Sequence, residues 1–265
     1  MARREREVLE HAVHAVTEQA AKTGQLAAGA LAAGRGSRPR FGLIARLLSI
    51  ALLAVYPSGI ALATPECRTS RATIVGTDGS DNIRGTPGRD VIVAGAGDDV
   101  IEALGGDDVI CAQAGQDQVS GGAGSDIIHG GQDSDTLYGR KGLDYLFGAR
   151  GTDVIYGAAG ADQLDGAYGD DVLYGQAGVD AINGGTGQDF IRGGRGDDCC
   201  LFGWRGDDVV SGEAGDDQIY GDGGQDTFSW GGDDALDGGP GEDSLDGGLG
   251  EDTCTTGESN TNCES

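Results

Sequence analysis

Aromatic residues are scarce, at 5% of 265, and hydrophobic residues of all kinds reach only 38%. Glycine takes much of the remainder, with 52 copies. Glycine loses the most backbone entropy on folding, and few large side chains are present to offset that loss, which argues against an ordinary globular core. No strict G-X-Y period runs through the chain, so collagen is excluded. Cations are few as well: 18 Lys and Arg stand against 44 Asp and Glu, a formal net charge of −26. Phosphate would be repelled by such a chain, so nucleic acid is not an expected partner. The sequence contains no G-x-S-x-G, H-E-x-x-H or P-loop. It also lacks the paired Cys/His spacing of a zinc site. Three histidines occur: His11 and His14 near the N-terminus, and His129. His129 reads as a surface side chain. The Asp pairs, such as Asp98-Asp99 and Asp107-Asp108, recur along the chain and so point to solvation and metal binding rather than to a catalytic dyad. The chain reads as a non-enzyme.

The cations that are present cluster early. The segment 1–63 holds eight Lys and Arg and four Asp and Glu, so its removal takes the formal charge from −26 to −30. Within that segment Arg35, Arg38, Arg40 and Arg46 precede an apolar run over 47–63, which Pro57 interrupts. Ala61-Leu62-Ala63 then offers a small-residue cleavage site before Thr64. A basic region, a short apolar region and such a site together read as a secretory signal peptide, with no stable membrane insertion after its removal. Residues 1–34 carry no assigned function. The expected product is extracellular or held at the cell surface. A chain of charge −30 with so few aromatics should be disordered by itself, and a cation is its natural complement.

A repeat dominates what remains. From Gly76 the chain divides into nines: GTDGSDNIR, GTPGRDVIV, AGAGDDVIE and onward, fourteen units in unbroken phase to Leu201. Phe202 reads as one extra residue. The phase resumes at Gly203, one residue is missing from the unit at 230–237, and the array closes at Thr255, for about twenty units. Position six is Asp throughout: Asp81, Asp90, Asp99, Asp108, Asp117, Asp126, Asp135, Asp144, Asp153, Asp162, Asp171, Asp180, Asp189, Asp198, Asp208, Asp217, Asp226, Asp234, Asp243 and Asp252. Position four is Gly except at Asp133. Position eight is apolar throughout, Cys200, Phe228 and Cys254 included.

Three residues around position eight are expected to form a short strand with its central side chain inward, because strand side chains alternate. The six residues before it form a turn in which glycine permits positive φ and close backbone approach. Two units then make one turn of a flattened coil, with successive units on its opposite faces. About ten turns at about 4.8 Å each give a rod of about 48 Å. The Asp carboxylates form two ladders of like charge, which repel without a cation. Carboxylate and carbonyl oxygens are hard ligands. Ca²⁺ takes six to eight of them at about 2.3–2.6 Å, whereas Mg²⁺ demands a tighter octahedron. About fifteen Ca²⁺ would balance the charge of −30.

The unit resembles G-G-x-G-x-D-x-U-x, the nonapeptide of RTX (hemolysin-type) calcium-binding repeats. GGAGSDIIH at Gly121, GGTGQDFIR at Gly184, GGPGEDSLD at Gly238 and GGLGEDTCT at Gly247 carry the resemblance. It implies an all-β fold, a right-handed parallel β-roll. It also implies multiple Ca²⁺ ions held by the position-six Asp of stacked units and by turn carbonyls, with folding after export. Several units depart from the motif. Position two holds Thr77, Thr86, Leu104, Gln113, Arg140, Trp204 or Trp230, and position one holds Ala94, Ala103 or Ala112. The turn at 139–144 carries Arg140 and Lys141 and is a weak candidate site. The expected organisation is an N-terminal extension and signal peptide (1–63), an N-terminal cap (64–75), the calcium-binding roll (76–255) and a C-terminal cap (256–265).

Six cysteines remain after signal removal, an even number in an exported chain, which suggests disulfides. Cys254 and Cys263 are placed for a local bridge at the C-terminal end. Cys67 is placed to reach Cys111. Cys199 and Cys200 are adjacent and should face opposite ways on a strand. The first reading of function is a secreted protein whose fold is switched on by external calcium. The alternative is a structural or adhesive module of the cell surface. In that case the calcium-loaded rod displays Tyr138, Tyr156, Tyr174 and Tyr220 toward cell-envelope or polysaccharide partners.

Overall fold

The computed structural model describes residues 72–221, 232–257 and 259–263. The expected extension and signal peptide, most of the N-terminal cap, Cys67, Asp226, Phe228 and Trp230 lie outside the described residues.

The described chain is all β. Its strands run from β1 (Ile74–Val75) to β21 (Ser259–Thr261). They alternate between two parallel sheets: odd-numbered strands form an 11-stranded sheet in chain order, and even-numbered strands a 10-stranded one. Each strand pairs with the strand two units away, as in Ile155↔Leu173 and Leu164↔Ile182. This is a β-solenoid of about ten turns, two units per turn, as the nine-residue period requires.

The strands are longer than the three residues expected. Most span six, such as Ile127–Gln132 and Thr136–Lys141. Pairing continues past position nine into positions one to three of the next unit, with Ala158↔Gln176 and Ala159↔Ala177 following Tyr156↔Tyr174. Burial alternates through most strands, so positions eight and one face inward and seven and nine outward, while Val93, Val109 and Cys111 form a small separate buried cluster. The core is accordingly thin. It consists of one position-eight aliphatic per unit from Ile83 to Leu245, widened in the early coils by Ala94, Ala103 and Ala112 at position one.

The two phase breaks differ from the sequence reading. Leu201, not Cys200, fills the core position and pairs with Ile182. The extra residue therefore falls between Asp198 and Leu201, where Cys200 adopts φ +66°, and Phe202 keeps an ordinary position nine opposite Asn183. A bulge in the turn costs less than one in the strand, because it leaves the ladder hydrogen bonds intact. At the second break the register lengthens by almost a whole unit: Val210 pairs with Leu236, and Ile219 with Leu245. The described register thus runs directly from the unit of Asp208 to that of Asp234. Gly221 takes position one before Asp234, against whose carboxylate a Cβ would collide.

Candidate metal centre

Three glycine-rich positions shape each turn for different reasons. Position one needs room: a Cβ on Gly157 would lie 2.6 Å from Asp162 Oδ2. Position two is left-handed in every described unit from Gly95 to Gly248, including Leu104 (φ 81°), Arg140 (φ 85°) and Trp204 (φ 79°). Position four must let the backbone of one coil lie on the next, since a Cβ on Gly142 would strike the carbonyl of Gly124. Asp133, the one exception, still adopts φ 72° there.

These turns close around the position-six aspartates. Asp90, Asp99 and the later described members, through Asp252, are all buried, between 0% and 4% exposed. Asp81, in the first coil, is half-buried. The carboxylates form two columns, one along each edge of the roll. In each column the backbone N–H of one Asp donates to Oδ1 of the Asp one coil further on, as from Asp126 to Asp144 (2.9 Å) and from Asp135 to Asp153 (2.7 Å). The chain of bonds crosses both breaks, from Asp189 to Asp208 and from Asp208 to Asp234. Asp226 lies outside the described residues.

The second carboxylate oxygen distinguishes two kinds of turn. In the first two, Oδ2 is satisfied by protein: Thr77 donates its amide (2.6 Å) and hydroxyl (2.9 Å) to Asp81, and Thr86 does the same for Asp90 (2.7 and 3.0 Å). Further along, Oδ2 is buried without a hydrogen-bond partner at Asp99, Asp108, Asp117, Asp126, Asp135, Asp144, Asp153, Asp162, Asp171, Asp180, Asp189, Asp198 and Asp217. A buried carboxylate oxygen with no partner is costly. The cost appears in the acidities. Burial, reinforced by the like charge of neighbouring carboxyls and opposed by the amide bond, raises Asp135 and Asp198 to about 8. Asp171 and Asp189 rise to about 7, and Asp126 to about 6.

A hard cation fits these columns. It would meet the unpartnered Oδ2 atoms, supply counter-charge, and return the carboxyls to the ionised form. Among the described residues no three His, Cys, Asp or Glu side chains converge on one point. The remaining ligands would therefore be turn carbonyls, a donor set suited to an ion of high coordination number and loose geometry. The Asp144 turn, doubted for its Arg140 and Lys141, keeps the same buried and unpartnered Oδ2 as its neighbours.

A second ladder escaped the sequence reading. Position-five carboxylates, exposed on the rim, also accept from the coil above: Asp98 from Gln116 (2.9 Å), Asp107 from Ser125 (2.9 Å) and Asp170 from Gln188 (2.8 Å). The recurrence of Asp-Asp at positions five and six was its signal.

Other expectations are met unevenly. Cys254 and Cys263 form the C-terminal disulfide. Cys111 is buried, and Cys67 lies outside the described residues. Cys199 and Cys200 do not face opposite ways on a strand. Both are buried in the turn bulge, and a hydrogen bond between their side chains, with burial, raises the Cys200 thiol. His129 is half-buried rather than a free surface group. It stacks on Phe147 at 4.8 Å, and burial lowers its pKa to about 4.

A family model of the RTX calcium-binding nonapeptide repeat (4 copies) matches residues 75–110, 105–137, 112–146, 129–164, 138–173, 165–198, 201–228 and 231–261. The matches skip 199–200, where the bulge lies, and 229–230, inside the stretch that the register passes over. No curated protein matches the chain.

Proposed function

Because the chain belongs to the RTX calcium-binding nonapeptide repeat family, and so binds calcium in a β-roll, we propose that it is a secreted protein whose folding is driven by calcium outside the cell. The observation that carries this reading is the pair of buried aspartate columns with unpartnered Oδ2 atoms. A chain with net charge −26 cannot close such columns cheaply without counter-charge. Where calcium is scarce it stays open and can be exported; where calcium is plentiful, binding energy becomes folding energy. The position-six aspartates from Asp99 onward are the ligands in this reading. Asp81 and Asp90, already closed by Thr77 and Thr86, serve as a cap. The role is one of binding and not of catalysis, in keeping with the lack of any catalytic signature in the sequence. Export rests on the basic and apolar segment that ends at Ala61-Leu62-Ala63.

Far-UV circular dichroism of the full chain during a Ca²⁺ titration, with Mg²⁺ as control, tests the proposal. The expected result is a cooperative coil-to-β transition with Ca²⁺ alone. A β spectrum in EDTA that Ca²⁺ leaves unchanged would overturn it. The Asp assignment has its own test: Asp126→Ala should weaken calcium binding, whereas Arg192→Ala should leave it at the parent value.

A cell-surface adhesive role is the second reading. The stacked rings of Tyr138, Tyr156 and Tyr174 on the ten-stranded sheet favour it.

A further inference from the structure

The outward positions of the ten-stranded sheet stand apart from the rest of this acidic chain. From Gln118 to Ser211, positions seven and nine of that sheet carry no carboxylate among the described residues. Their centre is a ladder in which Tyr138, Tyr156 and Tyr174 stack at 5.0 Å with rings within 9° of parallel. Phe190 meets Tyr174 edge-on at 6.3 Å. Rings stacked in this way cover one another's faces and present their edges and phenol hydroxyls outward in a row.

Each end of the ladder opens into a hollow: column nine drops to Ser120 before Tyr138, and passes through Arg192 to Ser211 after Tyr174. Before Tyr138 lies a hollow of about 530 Å³. Arg140 lies over the Tyr138 ring at 4.5 Å and donates to Ser120 Oγ (3.3 Å), with Glu102 and Gln118 beside it. After Phe190 lies one of about 300 Å³. Here Arg192 lies over the Phe190 ring at 5.1 Å and pairs with Glu213 (3.3 Å), with Asp237, Thr253 and Thr255 lining the hollow. Each hollow combines apolar side chains with one arginine, a carboxylate and neutral hydroxyl or amide groups. Such a set both donates and accepts, with Arg140 set against Glu102 in the first hollow and Arg192 against Glu213 and Asp237 in the second.

We propose that this face binds an extended neutral polysaccharide, laid along the roll axis from one hollow across the tyrosine ladder to the other. Sugar hydroxyls are donors and acceptors at once, which matches a lining that offers both. A polyanion would meet the carboxylates of Glu102, Glu213 and Asp237 on the same face. The span from Tyr138 to Phe190 covers three strand spacings, about 14 Å. A polymer bridges that distance and a single sugar does not. The rigid, two-torsion tyrosine side chain also limits the entropy lost on binding.

Affinity electrophoresis of the full chain in calcium buffer, through gels containing hydroxyethyl cellulose or laminarin, tests this, with polygalacturonate as the anionic comparison. The neutral glucans should retard the protein and polygalacturonate should not. Tyr156→Ala should weaken retardation about tenfold, and Tyr156→Phe, which keeps the ring stack, by a smaller factor. Tyr220→Ala, on the opposite sheet, should match the parent. The proposal rests on a folded roll, so circular dichroism of the same samples separates a failure to fold from a failure to bind. A folded parent that neither glucan retards would overturn it. So would a folded Tyr156→Ala protein that runs like the parent, or equal retardation by polygalacturonate.

Discussion

Position two of the unit adopts left-handed φ whether or not the residue is glycine. Ala149, Ala158 and Ala167 sit at 85°, 84° and 76°, close to the values of Leu104 and Arg140. The sequence marks these residues as departures from the motif, and their cost is conformational. An L-residue in this region loses about 1–2 kcal/mol relative to glycine, partly offset by the extra freedom glycine has in the unfolded chain. Ala158→Gly should therefore raise the stability of the calcium-loaded roll by about 0.5–1 kcal/mol, read from the midpoint of urea unfolding at fixed calcium. Gly131→Ala should lower it, since the new Cβ would also press on the Gln113 carbonyl. Position one behaves otherwise. Its glycines are there for space beside the aspartate, a reason visible only once the carboxylate has been placed.

At the scale of the coil, the unit is a period that the chain can interrupt but not alter. The separation of 26 between Asp208 and Asp234 exceeds the usual 18 by eight. Deleting residues 222–229 would leave Gly221 followed by Trp230, Gly231, Gly232, Asp233 and Asp234. That is a nine-residue unit GWGGDDALD, with Trp at position two as in the unit of Trp204. The deletion should preserve the calcium-driven transition and its midpoint. Removal of eight residues from an unbroken stretch, such as 154–161, would set Asp153 and Leu164 at the spacing of Asp198 and Leu201, so it should add one further turn bulge and lower the stability of the loaded roll without abolishing the transition. Circular dichroism of the two variants during calcium titration checks both. The same arithmetic places Tyr220. Five units and one extra residue separate it from Tyr174, and an odd number of units puts it on the eleven-stranded sheet. There it stacks on Phe202 at 4.8 Å, away from the tyrosine ladder.

For the molecule as a whole, the aspartate columns set opposite pH responses with and without calcium. These carboxyls titrate at an ordinary 3.8 in an open chain and at about 6 to about 8 in the roll, chiefly through burial. The folded state therefore holds protons that the unfolded chain has released. Their contribution to the calcium-free roll is fully present below 3.8 and is lost as pH rises through about 6 to about 8. In EDTA, β structure should increase on going from pH 8.5 to pH 5. With calcium the direction reverses, since the cation competes with protons for the same oxygens, and its affinity should fall over the same interval. Circular dichroism in EDTA and calcium titrations at both pH values measure the two effects. A calcium-free roll more stable at pH 8.5 would contradict the burial of the columns.

The sequence by itself determined the family, the two-sheet solenoid, the inward aliphatic of position eight and the aspartate of position six. All of these follow from a nine-residue period, and a period is a local property that survives whatever lies far away in the chain. Only the tertiary structure decided where the two breaks fall. Cys200 and Leu201 compete for one core position, and the coil beneath, through Ile182, selects Leu201. The tertiary structure likewise decided that Thr77 and Thr86 close their own turns, whereas the aspartates from Asp99 to Asp198 keep a buried oxygen without a partner. Each threonine lies in the same unit as the aspartate it closes, but the burial of a position-six carboxylate depends on what the neighbouring coil, two units away in the chain, brings to the turn.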